Sequence, residues 1–248
     1  MKKYNLGIAI TISCILVYIN VYNNYIKEQR KENLDKYKAG YYDNVTVENK
    51  AVEPVETKKY APPKNWSKYI IANAFSISVP PTIELRKSKD SYTKALENLN
   101  NHGYRINSDN VVFQQRGLSA NTLEAHQTYC RIIIDIQKGD SGEYPKSSDH
   151  EDLTMEEIHT FQELAKQYSY GYKILGQPEV RWIKIENVYG IEVEYVRNGT
   201  NNSRTHVYNY YFFNDNLLAI IILSYRQGDS RKWETDFSNI IKTFKWNN

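Results

Sequence analysis

The chain is poor in the residues that build most recognisable sites. Its 248 residues include two cysteines, two methionines and five histidines. Cys14 lies in an apolar N-terminal stretch, so Cys130 stands alone in the rest and a disulfide scaffold is excluded. His102, His126, His150 and His206 follow no metal-ligand spacing. Charge of one sign is also scarce where it would matter. Residues 1–65 hold 11 Lys/Arg and 7 Asp/Glu, net +4, whereas residues 66–248 hold 21 and 22, net −1. A domain that grips a phosphate backbone normally presents a basic face, so nucleic acid is not an expected partner.

Catalytic motifs are missing as well. "GDSG" at Gly139–Gly142 has the composition of a serine-protease nucleophile loop. Such a serine needs a histidine base oriented by an aspartate. The segment expected around that histidine is absent, and Gly-Asp-Ser-Gly is ordinary turn composition. Glu156 and His159 share a helix face, but di-iron bundles need two such pairs on four helices. The acidic loop from Asp140 to Asp152 lacks the alternating ligands and the glycine of an EF-hand. A solvated loop and a solvated helix face are the better readings. No catalytic, cofactor-binding or metal residue is assigned, and no cofactor is expected.

What the chain does have begins at its N-terminus. Lys2 and Lys3 precede an apolar run from Leu6 to Ile19, which Val21, Tyr22, Tyr25 and Ile26 extend to 21 residues. About 20 residues cross a bilayer, and tyrosines settle at its interface. Three readings compete. A cleaved signal needs small residues before its cleavage site, and "LVYINVY" offers none. A lipoprotein signal would use Cys14, yet apolar residues continue past it. The stretch therefore reads as an uncleaved signal-anchor, residues 1–26, in a single-pass protein. Lysines and arginines flank both ends, and their count alone would keep the domain in the cytoplasm. The order basic, apolar, polar points instead to an exported domain.

Residues 27–65 are dense in charge, with Pro54, Pro62 and Pro63. Such a stretch buries too little surface to offset its ordering entropy, and it is read as an extended linker.

From Trp66 the pattern changes. "AFSISVPP" alternates Phe75, Ile77 and Val79 with small residues, a half-buried strand stopped by Pro80 and Pro81. Tyr92, Ala95, Leu96 and Leu99 fall at helical spacing, with Asp90 as N-cap and Gly103 as stop. "NVVFQQRG" reads as a short strand. Cys130, Ile132, Ile134 and Ile136 line one face of the next. Thr154 and Glu157 form a capping box. The helix they open carries Met155, Ile158, Phe161, Leu164, Ala165 and Tyr168 as its stripe and ends at Gly171. "VRWIKIE" and "GIEVEYVR" flank the turn "NVYG". "THVYNYYFF" and "LLAIIILSY" flank "NDN", a hairpin signal. These last two runs are apolar on both faces, as central strands are. A closing helix follows, with Trp233, Phe237, Ile240, Ile241 and Phe244 in one stripe.

The order of these pieces resembles the PsbP-like proteins: the photosystem II extrinsic subunit, its exported bacterial relatives and a nuclear-import protein of the same fold. The resemblance rests on "FSISVPPTIELR", "WIKIENVYGIEVEYVR", "YNYYFFNDNLLAIIILSY" and "WETDFSNIIKTFKW". It covers Trp66–Arg86 and Arg181–Trp246, about 87 residues, as a pattern and not as a signature motif. It implies an antiparallel sheet between helices, with roles in binding and assembly and no common catalytic site. No calcium or manganese ligand of the photosynthetic members matches here.

The expected architecture is α+β: an antiparallel sheet of about six strands with helices packed on it, residues 66–248, behind a transmembrane helix and a linker. The expected function is a membrane-anchored, non-enzymatic binding or assembly module exposed on the cell envelope. Its partners are the membrane, through the N-terminal helix, and a protein that the sequence does not name. The alternatives are an enzyme with an unrecognised site in residues 87–180, or an accessory subunit of an envelope membrane complex.

Overall fold

The long period-two runs of the sequence pair with one another, and the pairing explains why several are apolar throughout. The computed structural model describes residues 55–57, 60–86, 104–106, 110–150, 152–169, 172–199 and 203–247. Among these the strands are, in order, β1 (Val55–Thr57), β2 (Ser67–Ile71), β3 (Phe75–Val79), β4 (Ile83–Leu85), β5 (Tyr104–Ile106) and β6 (Asn110–Gln115). They continue with β7 (Cys130–Lys138), β8 (Ile174–Ile185), β9 (Val188–Asn198), β10 (Arg204–Asn214), β11 (Leu217–Arg226) and β12 (Lys245–Trp246). The helices are α1 (Leu123–His126), α2 (Met155–Tyr168) and α3 (Ser230–Ile241).

The α+β class and the antiparallel pairing hold, but the strands form two sheets. One has eight strands in the order β1-β8-β9-β10-β11-β7-β6-β4; the other has four in the order β12-β3-β2-β5. The expectation of about six strands in one sheet falls short for a physical reason. β1, β4, β5 and β12 are only two or three residues long, too short to show a period. Their places are set by tertiary pairing. β3 is likewise buried at all five positions, not half-buried: it is a central strand between β12 and β2, and the closing helix packs on it.

β1 lies inside the segment read as linker. It pairs in parallel with Ile183–Ile185 of β8. The apolar segment proposed as an anchor and the helix expected at Tyr92–Leu99 lie outside the described residues. Among the described residues no helix is long and apolar enough to cross a membrane.

The hairpin at "NDN" forms as read: Asn214 pairs with Leu217, and Asp215 takes a positive φ of 58°. The turn placed at "NVYG" lies earlier, at Glu186 and Asn187, with Glu186 at φ 53°. Gly190 is instead a strand residue of β9. A Cβ there would meet the Phe212 ring at 2.5 Å and the Tyr211 carbonyl at 3.0 Å. The glycine is needed for close approach and not for the turn.

One face of the large sheet carries the core. Ile132 and Ile134 of β7, Ile221, Leu223 and Tyr225 of β11, and Phe212 of β10 are buried there. The small sheet and α3 cover them. α3 buries Trp233, Phe237, Ile240 and Ile241, and Phe244 follows in the same stripe. Phe237 meets Tyr225 edge-on at 5.7 Å, and Phe244 stacks on Phe212 at 4.0 Å. Burying one such side chain contributes about 1.5–3 kcal/mol, and aromatic geometry adds about 0.5–1.5. The helix is therefore a lid on the sheet.

The opposite face is covered in parts. α2 lies across β8 and β9. Its capping box forms: the Glu157 amide donates to Thr154 Oγ1 at 3.2 Å, and the Thr154 amide donates to Glu157 Oε2 at 2.8 Å. Of its expected stripe only Ala165 is fully buried, with Gln162 buried beside it, and Met155 is 74% exposed. A polar clasp does what apolar contact does for α3. Gln162 donates to the Pro178 carbonyl at 2.9 Å and accepts from Gln177 at 3.1 Å. Gly176, Gln177 and Pro178 form an irregularity where β8 slips against β9, with Gly176 at φ 82°.

Candidate functional site

The motifs weighed in the sequence do not come together. Ser141 donates to the Asp215 carboxylate at 3.1 Å, and the Gly142 amide donates to the same group at 3.1 Å. "GDSG" thus fastens a loop to the β10–β11 hairpin. Glu143 accepts from the Asp140 amide at 2.7 Å and Asp149 from the Lys146 amide at 3.3 Å, so the acidic loop satisfies its own backbone. His159 sits 3.9 Å from Glu163 on the exposed face of α2. His126 pairs with Asn121 at 2.7 Å. His150 packs between the rings of Trp182 and Tyr189 at 5.2 and 4.9 Å. Among the described residues no group of three His, Cys, Asp or Glu could hold a metal ion. Cys130 is fully buried, and burial pushes its thiol far above the ordinary range, so it is not a nucleophile.

His206 belongs to a polar cluster at the border of the core face. Its Nε2 donates to Glu194 Oε1 at 2.8 Å, and Tyr225 donates to its Nδ1 at 3.0 Å. Arg181 joins Glu194 at 2.9 Å and also pairs with the buried Glu192. The His206 hydrogen bond, against the cost of burial and aided by the Arg181 charge, holds the Glu194 carboxyl below its usual range. Hydrogen bonds and ion pairs tie these groups to one another, which is a structural role.

A recess of about 550 Å³ opens on the other face of the large sheet, at the end away from the β10–β11 hairpin. The register builds it. Val207 pairs with Ser224 and Tyr195, Ile222 with Ile133, and Thr205 with Arg226 and Arg197. These neighbours share one face at one end of five adjacent strands, β6, β7, β11, β10 and β9. Val112, Ile133, Val207 and Ile222 make an apolar floor. Tyr129, Tyr168, Tyr172 and Tyr195 supply rings. Four guanidinium groups complete it: Arg86, Arg131, Arg197 and Arg226.

Two of these arginines are held without an ion pair among the described residues. Arg197 donates to the Ser169 carbonyl at the end of α2, 3.0 Å, and lies over the Tyr172 ring at 4.5 Å. Arg131 lies 5.8 Å from the Tyr129 ring. The Nε atoms of both are buried without a hydrogen-bond partner among the described residues. Arg226 donates to the Gln127 carbonyl at 3.2 Å and stands 4.0 Å from Asp229. Among the described residues no Asp, Glu, His, Lys or Cys lines the recess.

Tyr129 is set in place from behind. The Asp229 carboxylate accepts from the Tyr129 amide and from Thr128 Oγ1, each at 3.0 Å, and Trp233 donates to Thr128 Oγ1 at 2.7 Å. The closing helix therefore anchors one wall of the recess. Sequence reasoning missed this site. Each arginine appears singly near a strand end, and only the pairing register brings them together. The one available signal was that Arg131 and Arg197 sit near the ends of strands rich in aliphatic residues.

The sequence matches no family model and no curated protein sequence. Several solved structures have a similar chain path. A Bacteroides thetaiotaomicron VPI-5482 protein matches at 8% identity and a TM-score of 0.36 over 74% of this chain. The match spans 49% of that protein, about half its length. LpqN of Mycobacterium tuberculosis, described as involved in cell envelope biogenesis, matches at 6% identity and a TM-score of 0.38, over 70% of this chain and 83% of LpqN. Cyanobacterial PsbP of Synechocystis sp. PCC 6803 matches at 13% identity and a TM-score of 0.45, over 75% of this chain and 95% of that one. At these identities no residue role, ligand or partner passes to this chain. The family whose pattern the sequence resembles is represented among these structures by cyanobacterial PsbP.

Proposed function

We propose that the chain is a membrane-anchored, non-enzymatic binding module, with its domain on the exported side of the cell envelope. The observation that supports this reading is the chemistry of the described recess lining: cations, rings and hydroxyls, with no carboxylate, imidazole or amine among the described residues to serve as a general base. A hydroxyl nucleophile without a base is inert at neutral pH. Ser224 Oγ has Tyr129 Oη at 3.5 Å, and no carboxylate or imidazole stands in the lining among the described residues. The enzyme alternative calls for a concave site built from residues 87–180. Val112, Tyr129, Arg131, Ile133, Tyr168 and Tyr172 do contribute one from that range, but its composition favours holding a ligand over transforming it.

The anchor rests on the apolar segment Leu6–Ile26 and the exported side on its signal-like order. Membrane fractionation with an alkaline carbonate wash tests the anchor. The full-length chain is expected to stay with the membrane, and recovery in the soluble fraction would remove that half of the reading. Protease added outside intact spheroplasts is expected to degrade the domain; protection there would place it in the cytoplasm.

A further inference from the structure

We infer that the recess is a binding site for an amphipathic organic anion: a carboxylate or phosphate group carried on an apolar or aromatic body. This rests on the binding-module reading and names its ligand class. The charge supports the anionic half. Four guanidinium groups line one recess in which no carboxylate is found among the described residues, with Asp229 standing outside it 4.0 Å from Arg226, in a domain of net charge −1. Like charges brought together repel, so a cluster of this kind is costly unless an anion occupies it. Arg131 and Arg197 also keep buried Nε–H donors unspent. A buried guanidinium donor without a partner is uncommon, and planar guanidinium groups suit carboxylate and phosphate oxygens.

The floor supports the other half. Val112, Ile133, Val207 and Ile222 are aliphatic, and Tyr172 and Tyr195 bring ring surface beside them. A bare inorganic anion would leave that surface unused. The volume of about 550 Å³ is that of a site for a drug-sized molecule. The cation–ring pair of Arg197 and Tyr172 sits where charged head and apolar body would meet.

The test is a calorimetric titration of the full-length chain, held in phosphatidylcholine nanodiscs, with phenyl phosphate as the probe. One saturable site is expected, with inorganic phosphate and benzyl alcohol each at least about tenfold weaker. Arg131→Ala and Arg197→Ala should each weaken phenyl phosphate by about 10-fold or more, as loss of a charged hydrogen bond does. Arg131→Lys keeps the charge and a long side chain, and should restore part of the affinity. Lys68→Ala, on an exposed position of β2 in the other sheet, should change nothing. Absence of saturable binding overturns the proposal. So does an effect of Arg131→Ala and Arg131→Lys no larger than that of Lys68→Ala, or inorganic phosphate binding as well as phenyl phosphate.

Two sources can supply this chemistry, a soluble organic anion or the headgroup of an anionic phospholipid. Adding phosphatidylglycerol to the discs separates them. A lipid ligand would compete and lower the apparent affinity for phenyl phosphate, whereas a soluble ligand's site would be unaffected; either result supports the site. Phenol release during the titration would sink the non-enzymatic reading while leaving the anion site in place.

Discussion

The two faces of the eight-stranded sheet are covered by helices of similar length and opposite character. α3 seals its face: Trp233 and Phe237 are each 1% exposed, and the aromatic contacts continue through Phe244 to the small sheet. α2 only rests on its face. It is held by the Gln162 clasp and by Phe161 against Tyr211 at 5.2 Å, and beyond its last turn the sheet is left to the recess. Close packing stabilises a fold but leaves no room for a ligand. Here one face supplies stability and the other supplies space.

Substitutions can break that division, and the largest effect belongs to the sealed face. Phe237→Ala should lower unfolding free energy by about 3–5 kcal/mol through lost burial and a cavity, read by denaturant titration. An unchanged midpoint would show that α3 is not the lid. Gly190→Ala forces a Cβ onto the Phe212 ring and should cost about 1–3 kcal/mol by the same measurement. Phe161→Ala on α2 removes a half-buried ring and should cost only about 1 kcal/mol. A loss as large as that of Phe237→Ala would erase the contrast between the faces.

The polar border of the sealed face answers to pH. The Glu194 carboxyl is held below its usual value, so its contribution is present at neutral pH and above the ordinary carboxyl range near 4.5. It is lost as pH falls through the lowered folded value. Thermal melts between neutral pH and pH 3 should show a destabilisation that Glu194→Gln reduces. An identical acid limb in both proteins would show that the His206–Glu194–Arg181 cluster does not matter to stability. The smallest effect is expected in the recess, where Arg131→Ala should move unfolding free energy by within about 0.5 kcal/mol. A large loss there would make Arg131 a structural residue.

How much of this was legible depends on range. α3, the Thr154 capping box, the "NDN" hairpin and the doubly buried β10 and β11 follow from local pattern and turn chemistry, and the structure has them. The double sheet was not legible, because Ile83–Leu85 and Lys245–Trp246 are strands only by virtue of what they meet. The stripe of α2 looks apolar in projection, yet Met155 is exposed and Ile158, Phe161, Leu164 and Tyr168 are only half-buried. The recess was invisible for a different reason. Arg131 and Arg197 are 66 positions apart and come to line one recess only because β10 and β11 lie between their strands, in a register no single segment encodes.

The three residues Val55–Thr57 carry one more consequence. A long outer strand offers unpaired amides and carbonyls to any extended chain that approaches, which is how sheets join edge to edge into aggregates. β8 is twelve residues long and would be such an edge. β1 covers its Ile183–Ile185 end, as the equally short β4 covers β6 on the far side. A fragment that begins at Trp66 keeps every residue of the core but uncovers this row of backbone groups, so the stretch that looks like a spacer also guards the sheet against its own copies.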